Sequence, residues 1–195
     1  METQYRTEYT NHHSQQRKSR VIGFLALMLG ALVLVSACSL LVPQTVTMNV
    51  HWAQYYRSMK DLKQHSDFAV RGFISYIAPA AKSADGAVYD MVTVSVTRIL
   101  WNPTHKTVPA TFAVEQLGGN VDNVTYVTPD DPLFKMNEQV ILFLQEYQPG
   151  KFRIAGGPTG RFTVANGIVK PIVTDGVQLP GNTSEAQFAL DLQNS

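Results

Sequence analysis

The sequence predicts a mainly β protein, a small antiparallel barrel with one N-terminal helix. Three observations carry that reading. Short runs of alternating polarity, rich in β-branched and aromatic residues, recur between turn residues from Ser66 to Ile172. Asn166-Gly167 stands between two apolar runs, the strongest short hairpin signal there is. Only 16% of the 195 residues are charged while 45% are hydrophobic, which suits an exported β domain with its own core.

The chain opens on a polar, patternless stretch, residues 1–16, where His12 and His13 are adjacent. Two neighbouring histidines in such a stretch are incidental rather than a metal site. Arg17-Lys18-Ser19-Arg20 then precedes Val21 to Ala37, which carries no charge. That is a basic n-region followed by an apolar h-region. It ends in Val35-Ser36-Ala37-Cys38, which resembles the bacterial lipobox. The residue types fit the chemistry. A thiol is needed to take a diacylglyceryl group as a thioether, and small residues before it let a signal peptidase reach the backbone. Residues 1–37 are then a lipoprotein signal peptide, and cleavage makes Cys38 the mature N-terminus. Two acyl chains hold a protein stably at a membrane where one is marginal. Two other readings use the same run. One is an uncleaved transmembrane helix from Val21 to Val42, ended by Pro43. The other is an ordinary secretory signal cut after Ala37. All three expect residues 43–195 outside the cytoplasm.

Cys38 is the single cysteine, so no internal disulfide can form and stability must come from the core. From Cys38 onward there are 12 basic and 13 acidic side chains, one net negative charge. The basic surplus therefore belongs to the leader, and no nucleic-acid partner is expected. The expected partners are a membrane, through the lipid anchor, and a protein or small-molecule ligand that the sequence does not name.

Residues 38–49 read as a lipidated tether. Val50 to His65 reads as a helix, with Trp52, Tyr55, Tyr56, Met59 and Leu62 at spacings of three and four. Phe68 to Ala78 alternates as a strand, and Gly72 within it signals a bulge or sharp bend. After the loop 79–86, Val88 to Trp101 is the clearest strand, turned by Asn102-Pro103-Thr104-His105. Thr111 to Leu117 alternates again and is broken by Gly118-Gly119-Asn120. Val121 to Asn137 reads as a long loop. Glu138 to Glu146 is a strongly apolar strand expected to be buried on both faces. Lys151 to Ala155, Arg161 to Ala165 and Ile168 to Ile172 complete the strands of a domain over residues 50–172. Residues 173–195 read as a polar C-terminal tail with a short helix at Glu185 to Leu192.

The order of these signals carries a resemblance. An Asp-led strand with an internal glycine (SDFAVRGFIS) is followed by one ending in Ile-Leu (VTVSVTRILW) and one closed by Gly-Gly (TFAVEQLGG). A phenylalanine-leucine strand (EQVILFLQE) and a glycine loop with a hairpin (AGGPTGRFTVANGIV) follow. This order is similar to the OB-like barrel of netrin-like modules, which include the tissue inhibitors of metalloproteinases. The resemblance implies an OB-like barrel over roughly half the chain. Those inhibitors chelate the target's zinc through an unmodified, disulfide-bonded N-terminal cysteine. Here Cys38 is expected to carry lipid and has no partner cysteine, so the inhibitory chemistry does not follow.

Catalytic signals are sparse. His51, His65 and His105 lie in no metal-ligand spacing, and no serine lies in a Gly-x-Ser-x-Gly elbow. Asp122, Asp130 and Asp131 share the long loop with Asn120, Asn123 and Thr128, hard oxygen donors that could hold calcium, although the EF-hand spacing is absent and Pro129 and Pro132 favour turns. Gly156, Gly157 and Gly160 precede a strand rather than the helix that a phosphate loop needs. Trp52, Tyr55 and Tyr56 fit packing on the barrel better than a ligand platform. The expectation is a non-catalytic, membrane-tethered binding module with no cofactor. The alternative is an envelope enzyme or protease-inhibitor-like protein with an unrecognised site.

Overall fold

Five consecutive apolar residues, Val140 to Leu144, form the middle of the protein's central strand. A computed structural model describes residues 43–194. Val35, Ser36, Ala37, Cys38, the rest of the expected signal peptide and the start of the expected tether lie outside the described residues. In chain order the elements are β1 (Gln44–Thr47), α1 (Met59–Gln64), β2 (Phe68–Ile77), β3 (Ala81–Lys82), β4 (Val88–Trp101), β5 (Thr111–Leu117) and β6 (Gly119–Val121). There follow β7 (Val124–Val127), β8 (Gln139–Gln148), β9 (Lys151–Ile154), a 3-10 turn at Gly157–Gly160, β10 (Arg161–Ala165), β11 (Ile168–Pro171) and α2 (Glu185–Asn194).

The main sheet runs β11-β10-β8-β2-β4-β3, with β5 paired to β4 and β9 to β8. It is antiparallel throughout. Gly72 supplies the expected bend. The β2–β4 register slips between Arg71 and Gly72, and a Cβ on Gly72 would stand 2.5 Å from the Ser95 carbonyl oxygen. The sheet curls but does not close into the expected barrel. Where β5 and β9 approach, the rings of Phe112 and Phe152 meet edge to face at 5.4 Å, and no ladder forms. Aromatic packing takes the place of backbone pairing at that seam, which leaves an open, coiled sheet.

The full burial expected for Val140 to Leu144 follows from having a core on each face. Val140, Leu142 and Leu144 pack inside the curl with Phe68, Val70, Phe112 and Phe152. Ile141 and Phe143 pack on the other face with Leu62 of α1, Phe162, and Phe188 and Leu192 of α2.

Four stretches differ from the sequence reading, each for a local reason. The tether contains β1, which lies parallel to β7 with Gln44 opposite Val124, satisfying backbone groups along that edge. The long loop contains the β6–β7 hairpin, because Asp122 and Asn123 take positive φ angles (53° and 63°) and make its tight turn. The helix is confined to Met59–Gln64. Ser58 caps it, its Oγ accepting from the Asp61 amide at 3.0 Å, and the aromatic residues upstream bond elsewhere. The C-terminal segment carries the short helix read at Glu185 to Leu192, now α2, but docks it on the core. Phe188 and Leu192 stand four apart on one face of α2, both fully buried, and Arg71 Nε donates to Glu185 Oε2 at 2.9 Å. No helix among the described residues is long and apolar enough to cross a membrane.

Candidate functional site

The segment before α1 decides where the site lies. Val50 to Arg57 forms neither helix nor strand and lies as a strap across the glycine loop. Gly156 and Gly157 have φ angles of 66° and 55°, in the left-handed region. A Cβ on Gly157 would stand 2.5 Å from Cε3 of Trp52, and one on Gly156 would stand 2.6 Å from Cδ2 of Tyr56. The two missing side chains are the seat for two aromatic rings. Glycine is needed twice over, for the backbone turn and for the close approach. The Gly-Gly pair is thus neither a phosphate cradle nor a plain turn.

Three polar contacts hold the strap. Trp52 Nε1 donates to Asp130 Oδ2 at 2.6 Å. The Tyr55 hydroxyl donates to Asp175 Oδ1. The Tyr56 amide donates to Thr159 Oγ1 at 3.3 Å. Tyr56 is buried in the core and its ring stacks on His65 with centroids 4.7 Å apart, so packing is the right account of this residue. Trp52 and Tyr55 remain half-buried and line a cleft.

That cleft has a volume of about 610 Å³ and is open to solvent. Its walls are Val50, His51, Trp52, Tyr55 and Arg57 of the strap, Asp61 of α1, and Asp175 of the segment after β11. Asp61 Oδ2 accepts from Ser58 Oγ at 2.6 Å. Burial, and then the hydrogen bond to the Asp175 carboxylate, push the Tyr55 phenol up to about 12. The charges of Asp175 and Asp130 act in the same direction, and Arg57 opposes them. Arg57 is exposed at the rim. No protein-family model matches the chain, and no curated protein matches it.

The three loop aspartates have separate partners. Asp122 is exposed, 3.8 Å from Lys82 Nζ. Asp130 holds the Trp52 indole. Asp131 is buried and accepts from Arg161 Nη1 at 3.0 Å. Among the described residues no group of three or more histidine, cysteine or acidic side chains is placed to hold a metal ion. Arg161, only 1% exposed, is the hub of this region. Its Nη1 also donates to the Pro132 carbonyl at 2.6 Å, and its Nη2 donates to both Glu138 oxygens at 3.1 and 3.2 Å. Its guanidinium lies 3.5 Å from the centre of the Phe134 ring. Burial raises the pKa of Asp131, and the Arg161 charge works against that rise.

The sequence reading missed Arg57, Asp61 and Asp175 as neighbours, and took the aromatic spacing as a helical stripe. A Gly-Gly pair at one end of the chain and a Trp-x-x-Tyr-Tyr run at the other are each visible alone. Only the fold shows that one seats the other.

Proposed function

We propose that the protein is a lipoprotein of the cell envelope, tethered to a membrane through lipid on Cys38, whose domain binds a ligand outside the cytoplasm without turning it over. The address rests on Val35-Ser36-Ala37-Cys38 behind a basic n-region and an uncharged apolar run. The binding role rests on one observation, the cleft between the strap and Asp175. Concave sites lined by aromatic groups with a few fixed polar ones are where small ligands are held. The acids around it, Asp61, Asp130 and Asp175, already accept bonds from Ser58, Trp52 and Tyr55, so they orient the walls rather than stand ready as bases. Arg57, the rings of Trp52 and Tyr55, and the acceptor capacity that Asp61 and Asp175 keep beyond these bonds are left to meet a ligand.

Growth of a bacterial host with radiolabelled palmitate tests the anchor. The wild-type chain takes up label and is cleaved before Cys38, while Cys38→Ala takes up none and stays uncleaved. Label on the Cys38→Ala chain would sink the reading.

A further inference from the structure

We propose that the cleft of Trp52, Tyr55, Arg57 and Asp175 takes a short oligosaccharide. This rests on the binding-module reading and names the ligand class for the same site.

The cleft carries a mix of groups. Two aromatic rings share the walls with one cation and two carboxylates. A ligand of single charge would meet a repelling group along with an attracting one. A pyranose ring matches every part. Its C–H face is apolar and lies flat on an aromatic ring. Its hydroxyls both donate and accept, so they can take bonds from the Arg57 guanidinium and give bonds to Asp61 and Asp175. Bonds in which one partner is ionised are the stronger kind.

Its aromatic walls are held rigidly. Trp52 is backed by Gly157 and pinned through its indole nitrogen by Asp130, and Tyr55 is pinned through its hydroxyl by Asp175. Rings fixed in advance lose little freedom when a ligand arrives. The shape of the cleft also suits a chain. A cleft of about 610 Å³ that is open to solvent holds part of a chain and lets the rest leave. That fits an oligosaccharide better than a compact metabolite, which needs enclosure.

The test is a fluorescence titration of the full-length protein in detergent. Trp52 and Trp101 are its two tryptophans, so a Trp101→Phe chain leaves Trp52 as the reporter. The probes are triacetylchitotriose, cellotriose and, as a cation, spermidine. At least one trisaccharide should saturate the Trp52 signal in the millimolar range or below. Arg57→Gln should weaken that binding about tenfold or more with an unchanged thermal midpoint, as loss of a charged hydrogen bond requires. Tyr55→Phe, which keeps the ring, should weaken it less. Three results overturn the proposal: binding of spermidine alone, trisaccharide binding that ignores Arg57→Gln, or no saturable signal from either trisaccharide. Spermidine binding lost in Asp175→Asn would reject the saccharide and keep the binding role. Silence from all three probes would count against both.

Discussion

Leu142 and Phe143 are neighbours in the chain and lie in different hydrophobic cores. Leu142 packs inside the curl of the sheet, and Phe143 packs under the two helices. The alternation of a strand sends them to opposite faces, and both faces are covered.

Phe143→Ala should therefore cost about 3–5 kcal/mol, because the ring is fully buried against Phe162 and its loss leaves a cavity. The shortness of β9 suggests a milder effect at Phe152, but the fold removes most of that difference. Phe152 is 5% exposed and its ring meets both Phe68 and Phe112. Phe152→Ala should also cost about 3 kcal/mol or more. Urea melts of both variants check this, and a small shift at Phe143 would contradict the two-core arrangement.

Arg161→Met should cost about 3–5 kcal/mol, since it leaves the buried Asp131 carboxylate and the half-buried Glu138 carboxylate without their cation. The same change combined with Asp131→Asn and Glu138→Gln should cost less than Arg161→Met alone. Removing all the charges relieves the burial of unpaired ions, which is the larger part of the loss. Additive costs in the triple variant would show that Arg161 acts through packing on Phe134 instead.

What the sequence makes legible here is local. Val88 to Trp101 and Thr111 to Leu117 alternate strictly enough to show their own ends, and both strands run as read. Asn166 and Gly167 take the positive φ angles, 52° and 75°, that their hairpin turn requires. The β1–β7 pairing was not legible, because a parallel partner far along the chain leaves no mark on four residues. The strap failed as a helix for a related reason. Trp52, Tyr55 and Tyr56 have helical spacing, but aromatic residues favour a helix only weakly. Bonds to Asp130, Asp175 and Thr159, all remote in sequence, decide their conformation. Six of the seven residues that line the candidate cleft fall between Val50 and Asp61, but the bonds that place Trp52, Tyr55 and Tyr56 come from remote partners, so the residues were visible and their geometry was not.

Gly157→Ala tests the seat under the strap. The new methyl group has a left-handed backbone and meets the Trp52 ring at 2.5 Å. Gly150→Ala is the control, since Gly150 also has a positive φ, 71°, but nothing within 4 Å of its Cβ position. The control should lose about 1–2 kcal/mol from backbone strain alone. Gly157→Ala should lose more, and the Trp52 emission should shift to the red as the indole is pushed toward water. Equal losses with unchanged emission would mean that the ring does not rest on this glycine.

Tyr55 makes the strap sensitive to alkali, and the sign can be worked out. Its phenol is raised from an ordinary 10.0 to about 12 by burial first and by the bond to Asp175 second. A group whose pKa is higher folded than unfolded stabilises the fold while it stays protonated. That contribution is fully present below pH 10.0 and is lost as pH rises through about 12. The loss has a structural cause. The phenol donates its proton to Asp175, so ionisation breaks the bond and sets two negative charges together at the cleft wall. Asp175→Asn removes the charge and should bring the Tyr55 titration back toward the ordinary value. It should also flatten the alkaline fall in stability. Ultraviolet difference titration of wild type, Tyr55→Phe and Asp175→Asn measures this directly. The Tyr55→Phe difference should reveal one phenol titrating near 12 that Asp175→Asn shifts downward. If that phenol keeps its value in Asp175→Asn, burial alone sets it and the Tyr55–Asp175 tie does not hold the strap.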